Sequence, residues 1–312
     1  MTGRCLCATA FRALLGVLLA AAAAAQAPPP VRFRVSMGFS ARILGRSNRA
    51  DVAAAMKAWL LTAARERKVE ADPEIQVFDS LEDLVQAAQQ ERIDVVGVGM
   101  DELLVLEKKV PLAGMFANKV KNRITDQFVL LVRRDRELRG LADLRGLSIA
   151  MLDSSRSLLA PLWLDTELMR RHLPAGARFF GKVNVAAKPA LAVMPLFFKQ
   201  VDAALMTQAG FETACELNPQ LGRDIEALVT SPELVSAIGA YRANADPASA
   251  NFYRHEAPRL SETPGGKLVL NLFQNDGVVE IREADLMETR ALLAEHARLV
   301  AGPAFPLQRR QP

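Results

Sequence analysis

Cysteine is nearly absent from this chain. The 312 residues hold three, Cys5, Cys7 and Cys215. The first two precede a short apolar run, Ala13 to Ala25, which ends in Ala25-Gln26-Ala27 with Arg4 and Arg12 ahead of it. That is the pattern of a secretory signal peptide with an A-x-A cleavage site, so residues 1–27 are expected to be removed after Ala27 and the rest exported to the periplasm. Cys215 would then be the one cysteine left, which excludes an intramolecular disulfide although an exporting compartment permits one. A lipoprotein anchor needs a cysteine just after the apolar run, and none stands there. Long apolar stretches are missing too: no segment reaches the ~20 residues a membrane span requires.

Chemistry-bearing clusters are equally scarce. His172, His255 and His296 are far apart, with no HxxxH spacing, so no metal site is expected. Gly97-x-Gly99 lacks the third glycine and the lysine of the nucleotide loops. Cys215 shares an apolar helix face with Phe211 and Ala214, the setting of a buried, inert thiol. Glu82-Asp83 suits the first turn of a helix and needs no catalytic role. No enzyme activity and no cofactor are expected. Two tyrosines, two tryptophans and a formal charge of +4, falling to +2 without Arg4 and Arg12, give no stripe for nucleic acid to bind.

Apolar residues, by contrast, make up 50% of the chain, enough to bury two cores in about 285 residues. Val31 to Gly38, Ile75 to Phe78 and Ile93 to Gly99 read as strands, alternating with helices at Val52–Arg67, Leu81–Glu91 and Asp101–Lys109, the first capped by Asp51 and the second by Asp79-Ser80. Leu112 to Phe116 adds a short strand. This alternation predicts an α/β fold on a parallel sheet, with ligands at the carboxyl ends of the strands. Gln127–Val132 and Leu234–Tyr241 are similar apolar strands that bracket a second α/β series, as in a double crossover between two lobes. Such a pair makes a hinge about which two lobes can close on a ligand. Lobe one is assigned 28–126 and 242–301, lobe two with its hinge strands 127–241, and 302–312 is read as a mobile tail. The helices after Asp246 are expected to return to lobe one.

Within the second series, Asp153-Ser154-Ser155-Arg156-Ser157 joins an apolar strand to a helix whose first turn is marked by Pro161. Backbone N–H groups there lack intrahelical acceptors, and with the helix dipole and the serine hydroxyls they suit an oxyanion. A serine in this place also serves as an ordinary helix cap, and both uses stay open on the stretch alone.

The order of elements resembles the periplasmic phosphate/phosphite/phosphonate-binding solute receptors of ABC transporters, which are type 2 periplasmic binding proteins. The resemblance runs from Val31 to about Ala301. It is carried by Val77-Phe78-Asp79-Ser80, Ile93 to Gly97, Phe128 to Asp135, Leu144-Arg145-Gly146 before the serine turn, and Val201 to Ala204. Thr263 to Lys267 and Leu272 to Asp276 add to it. It implies a two-lobed fold with a two-strand hinge, and an oxyanion held in the cleft by helix N-termini and hydroxyls. Carried over, the binding residues are Ser154, Ser155, Arg156 and Ser157, then Thr207 and Gln208, with Phe39, Ser40, Met100 and Asp101 from lobe one and Gln127 at the hinge.

Two departures from the family pattern bear on the ligand: Arg156 and Leu158 interrupt the expected serine, threonine and glycine run, and Asp101 stands where a hydroxyl is expected. Asp101 either caps its own helix, or pairs with the amino group of a zwitterionic ligand, or marks a ligand that is not a phosphorus oxyanion. Arg156 offers a bidentate clamp for an oxyanion. The implied partners are a small-molecule ligand and an ABC permease, with the protein a monomer. A sensing subunit that docks on a membrane kinase or cyclase, or a binder of some other small organic solute, is the alternative.

Overall fold

Strands whose two faces are both buried need continuous apolar runs, and three such runs lie at the centre of two sheets in the computed structural model, which describes residues 32–302. They are β3 (Val95–Gly99), β5 (Phe128–Arg133) and β8 (Ala203–Thr207). The first sheet has six strands in the order β11-β4-β10-β3-β1-β2, with β1 (Arg32–Ser40), β2 (Glu70–Phe78), β4 (Leu112–Lys119), β10 (Ala237–Arg242) and β11 (Gly277–Ile281). The second has five, in the order β7-β6-β8-β5-β9, with β6 (Ser148–Leu152), β7 (Lys182–Ala186) and β9 (Ile225–Thr230). Both are mixed rather than wholly parallel: β1 pairs parallel with β2 and β3, whereas β10 runs antiparallel to β3 and β4.

The longer helices are α1 (Arg49–Glu66), α2 (Leu81–Gln89), α3 (Met100–Leu106), α4 (Ala160–Arg170), α5 (Pro189–Phe197), α6 (Gln208–Leu217), α7 (Pro247–Glu256), α8 (Pro264–Leu272) and α9 (Met287–Ala301). α1 starts earlier than expected. Asn48, in extended geometry, accepts from the amides of Ala50 and Asp51, so Asp51 sits inside the first turn and is not the cap. α2 is capped by Ser80 as its sequence suggests.

The chain crosses between lobes twice, along 120–127 and 231–236. Asp126 and Leu234 pair there as an antiparallel bridge, each amide donating to the other's carbonyl at 2.8 and 2.9 Å. The lobe-two boundary at 241 therefore needs correction. Of the expected hinge strand Leu234–Tyr241, only Leu234 to Ser236 lie in the crossing, and Ala237–Arg242 is β10 of the first sheet. A strand buried on both faces reads alike in either sheet.

The last helix also departs from expectation. α9 does not simply return to lobe one but packs on α4 of lobe two, where Arg170 pairs with Glu295 and Thr166 Oγ1 lies 3.0 Å from His296 Nδ1. On its other side Arg290 reaches Glu107 of lobe one at 2.8 Å, and Thr289 Oγ1 accepts from the amide of Val235 in the crossing. A single apolar core accordingly runs through the hinge, from Leu84, Val98 and Met100 to Leu130, Trp163, Leu205 and Leu293.

His296 makes this joint pH-sensitive. Burial lowers its pKa below 6.5, opposed by Asp165, whose own carboxyl is raised by burial and lowered by the amide of Gly176. A base with a depressed native pKa contributes stability that is present above about pH 6.5 and is lost as pH falls through the native value. Melting temperature should therefore fall on acidification more steeply in the wild type than in His296→Gln. The difference between the two isolates the histidine from Asp165, whose raised pKa acts in the opposite sense. Parallel melting profiles from pH 7.5 to 5 would show that His296 takes up its proton without cost.

Candidate functional site: a recess between the lobes

The serine turn leaves β6 at the carboxyl end of its sheet and faces lobe one. Ser157 is buried and holds the turn together: its hydroxyl donates to the carbonyl of Leu152 at 2.8 Å and accepts from the amide of Ser154 at 3.0 Å. The Ser154 hydroxyl lies 2.9 Å from the Ser157 hydroxyl. These two serines therefore serve the turn itself, and only Ser155 and Arg156 project into the gap. Leu158, where the family pattern has glycine, packs on the apolar cluster of lobe one. Gly45 of lobe one has φ +55°, and a Cβ there would come within 3.2 Å of the Ser155 nitrogen. The Ser236 hydroxyl in the second crossing donates to the carbonyl of Arg156 at 3.1 Å. The serine turn thus lies against both lobe one and the second crossing.

Between them lies a recess of about 30 Å³. Ser155 and Arg156 line it from lobe two, Asn118, Phe273 and Asn275 from lobe one, and Asp126 and Ser236 from the crossings. Arg156 donates from Nε at 3.0 Å, and from Nη2, to the same oxygen of Asp126, Oδ1, which leaves Nη1 for another acceptor. Burial raises the Asp126 pKa above the ordinary carboxylate value, and the Arg156 guanidinium pulls it back only in part. Asn275 is 8% exposed and lines the recess.

The remaining expected residues lie outside the recess. Thr207 is buried and caps α6, accepting from the amide of Gly210 at 3.2 Å. Gln208 turns its side chain to Glu212 and donates its amide to the Gln127 carbonyl at 2.8 Å. Gln127 donates to the carbonyl of Ser231 within the hinge. Met100 is fully buried, and its amide donates to the carbonyl of Ser236. Ser40 donates to Glu102 at 2.8 Å, and Glu102 also accepts from the amide of Gly99. Glu102 thus does the capping considered for Asp101, which instead pairs with Arg42 at 2.7 Å. A local cap or ion pair has thus taken up most of these polar groups, except that Asp101 Oδ1 is buried without a hydrogen-bond partner among the described residues. Phe39 lines an adjoining apolar cavity.

Asp126, Asn118, Ser236 and Asn275 were not singled out from sequence. Asn275 stands within a stretch that carries the family resemblance, but nothing local distinguishes its side chain from its neighbours. Among the described residues there is no cluster of histidine, cysteine, aspartate or glutamate able to hold a metal, and no helix is long and apolar enough to cross a membrane.

Two α/β lobes joined by a pair of crossings, with polar groups from both sides facing one recess, define a two-lobed periplasmic binding protein. Solved structures share this architecture. XAC2383 from Xanthomonas citri, solved bound to ATP, is 16% identical, with 86% of this chain and 98% of that chain covered at a TM-score of 0.60. A binding protein component of an ABC phosphonate transporter, PA3383 from Pseudomonas aeruginosa, is 14% identical over 86% of this chain and 87% of that one, at 0.56. PhnD1 from Prochlorococcus marinus, solved with methylphosphonate, is 12% identical over 85% and 98%, at 0.55. The chain belongs to the family described as ABC transporter, phosphonate, periplasmic substrate-binding protein, which its residues 46–286 match. No curated protein matches it in sequence.

Proposed function

We propose that the protein captures a small phosphonate or related oxyanion in the interlobe recess and passes it, as an exported monomer, to an ABC permease. The observation that carries this reading is the convergence of the Arg156 guanidinium, Ser155 and Asn275 from the two lobes on one recess. Arg156 supplies charge-assisted bonds from its unused Nη1, with the Ser155 hydroxyl and the amides of Asn275 and Asn118 as further donors. The Prochlorococcus marinus relative, solved with methylphosphonate, supports the ligand class. Asp126 occupies the guanidinium much as an external oxyanion would, so ligand entry is a competition for Arg156.

The direct test is a calorimetric titration of the purified protein with phosphate, phosphite, methylphosphonate and methanesulfonate. Saturable binding of at least one, with no chemical change in the ligand, is expected, and no binding to any of them would sink the reading. The competition gives a second expectation. Asp126→Asn removes a negative charge beside the ligand, worth about 1 kcal/mol or more at 4 Å even at the water limit, so the variant should bind methylphosphonate about fivefold tighter or better. Weaker binding would mean that Asp126 orients Arg156 for the ligand and does not compete with it.

A further inference from the structure

The recess, about 30 Å³, is lined by the polar groups named above and adjoins a larger space. A second cavity of about 60 Å³ lies in lobe one, and four residues, Ile43, Asn118, Ala237 and Phe273, line both. Its walls come from β1, α1, α7 and α8: Phe39, Met56, Trp59, Tyr253 and Leu270. No acidic or basic side chain lines it.

Two glycines lie on the sheet side of this cavity. Gly97 of β3 and Gly239 of β10 are paired directly in register, so the sheet has a strip without side chains at this point. A Cβ on Gly97 would come within 2.5 Å of the Phe39 ring, and one on Gly239 within 3.0 Å of the Tyr253 hydroxyl. A side chain at either position would push against an aromatic residue that walls the cavity.

We propose that this cavity receives the organic substituent of the ligand whose oxyanion is held at Arg156, so that the protein selects phosphonates carrying an uncharged apolar chain of about three carbons. The assignment rests on the oxyanion reading above and adds its specificity. An ammonium group in the cavity would be desolvated with no carboxylate beside it, which disfavours aminoalkyl ligands. Inorganic phosphate would leave the cavity empty and gain nothing from it.

Calorimetric titration of the whole protein with methylphosphonate, propylphosphonate and 2-aminoethylphosphonate tests this, since the last two have the same length. Each buried methylene tightens binding about fourfold, so propylphosphonate should bind roughly fifteenfold tighter than methylphosphonate. 2-Aminoethylphosphonate should bind no tighter than methylphosphonate. Gly239→Val, which fills the strip, should abolish the propyl advantage and leave methylphosphonate affinity unchanged. Methylphosphonate binding with no gain for propyl, or a preference for the amine, overturns the inference and leaves the oxyanion reading standing. Failure of all three to bind overturns the inference, and failure of phosphate, phosphite and methanesulfonate as well overturns both. If Gly239→Val does not fold, the ligand series on the wild-type protein still decides.

Discussion

An Asp94→Ala variant should lose about 3–5 kcal/mol of stability, the usual cost of removing one partner from a buried ion pair. Asp94 and Arg242 are 7% and 3% exposed. Arg242 donates from Nη2 to Asp94 Oδ1 at 2.9 Å and from Nε to the carbonyl of Ile93 at 2.7 Å. Ser36 donates to Asp94 Oδ2 at 2.8 Å, and its own hydroxyl accepts from the Asp94 amide. One cluster thus ties β1, β3 and β10 together at the end of the sheet away from the recess, which opens where β10 begins at Ala237. Removing the carboxylate leaves the buried guanidinium with the Asn244 side-chain oxygen at 2.7 Å and, as its remaining counter-charge, only the exposed Glu91 carboxylate at 3.6 Å, in a medium that penalises poorly paired charge. The double variant Asp94→Leu, Arg242→Met should be less destabilised than Asp94→Ala, because it removes both charges and leaves apolar volume. Urea denaturation followed by circular dichroism measures both. Ligand affinity of the single variant, measured well below its melting temperature, should equal that of the wild type. A loss under about 1 kcal/mol would mean that Arg242 relaxes to water when its partner is gone.

The parts of the fold that were legible are those in which one physical demand writes itself into a local pattern. β3, β5 and β8 must be apolar on both faces because both are covered, and each shows as an unbroken run. Ser80 shows as a cap because an extended hydroxyl residue just before a helix has few other uses. The placement of α9 was not legible: Leu292 and Leu293 mark a buried face without saying which lobe covers it. Site residues divide in the same way. A hydroxyl-rich strand-to-helix turn is visible, but whether a given hydroxyl faces a ligand or its own backbone depends on turn geometry, which turns Ser157 inward and Ser155 outward. Asp126 and Asn275 meet Arg156 only because a crossing, a lobe-one loop and a lobe-two turn converge. No spacing in the chain encodes that meeting.

Arg156→Met should weaken methylphosphonate binding by about 10- to 150-fold, the factor that corresponds to losing a charge-assisted hydrogen bond worth roughly 1.5–3 kcal/mol. Methionine keeps an unbranched side chain of comparable reach and removes the donors, so packing of the turn changes little. The substitution also strands Asp126, which burial already holds above the ordinary carboxylate pKa, and some stability should be lost with it. These two consequences can be separated. In Arg156→Met, Asp126→Asn the stranded charge is gone, so stability should recover while affinity stays low. If affinity recovers along with stability, the damage in the single variant came from a repelling carboxylate, and the guanidinium does not grip the ligand. Ser155→Ala is the internal comparison. A neutral hydroxyl contributes roughly 0.5–1.5 kcal/mol, so its loss should weaken binding by no more than about tenfold. The ranking Arg156 above Ser155 follows from charge alone, and the reverse ranking would return the binding role to the hydroxyls and backbone amides of the turn.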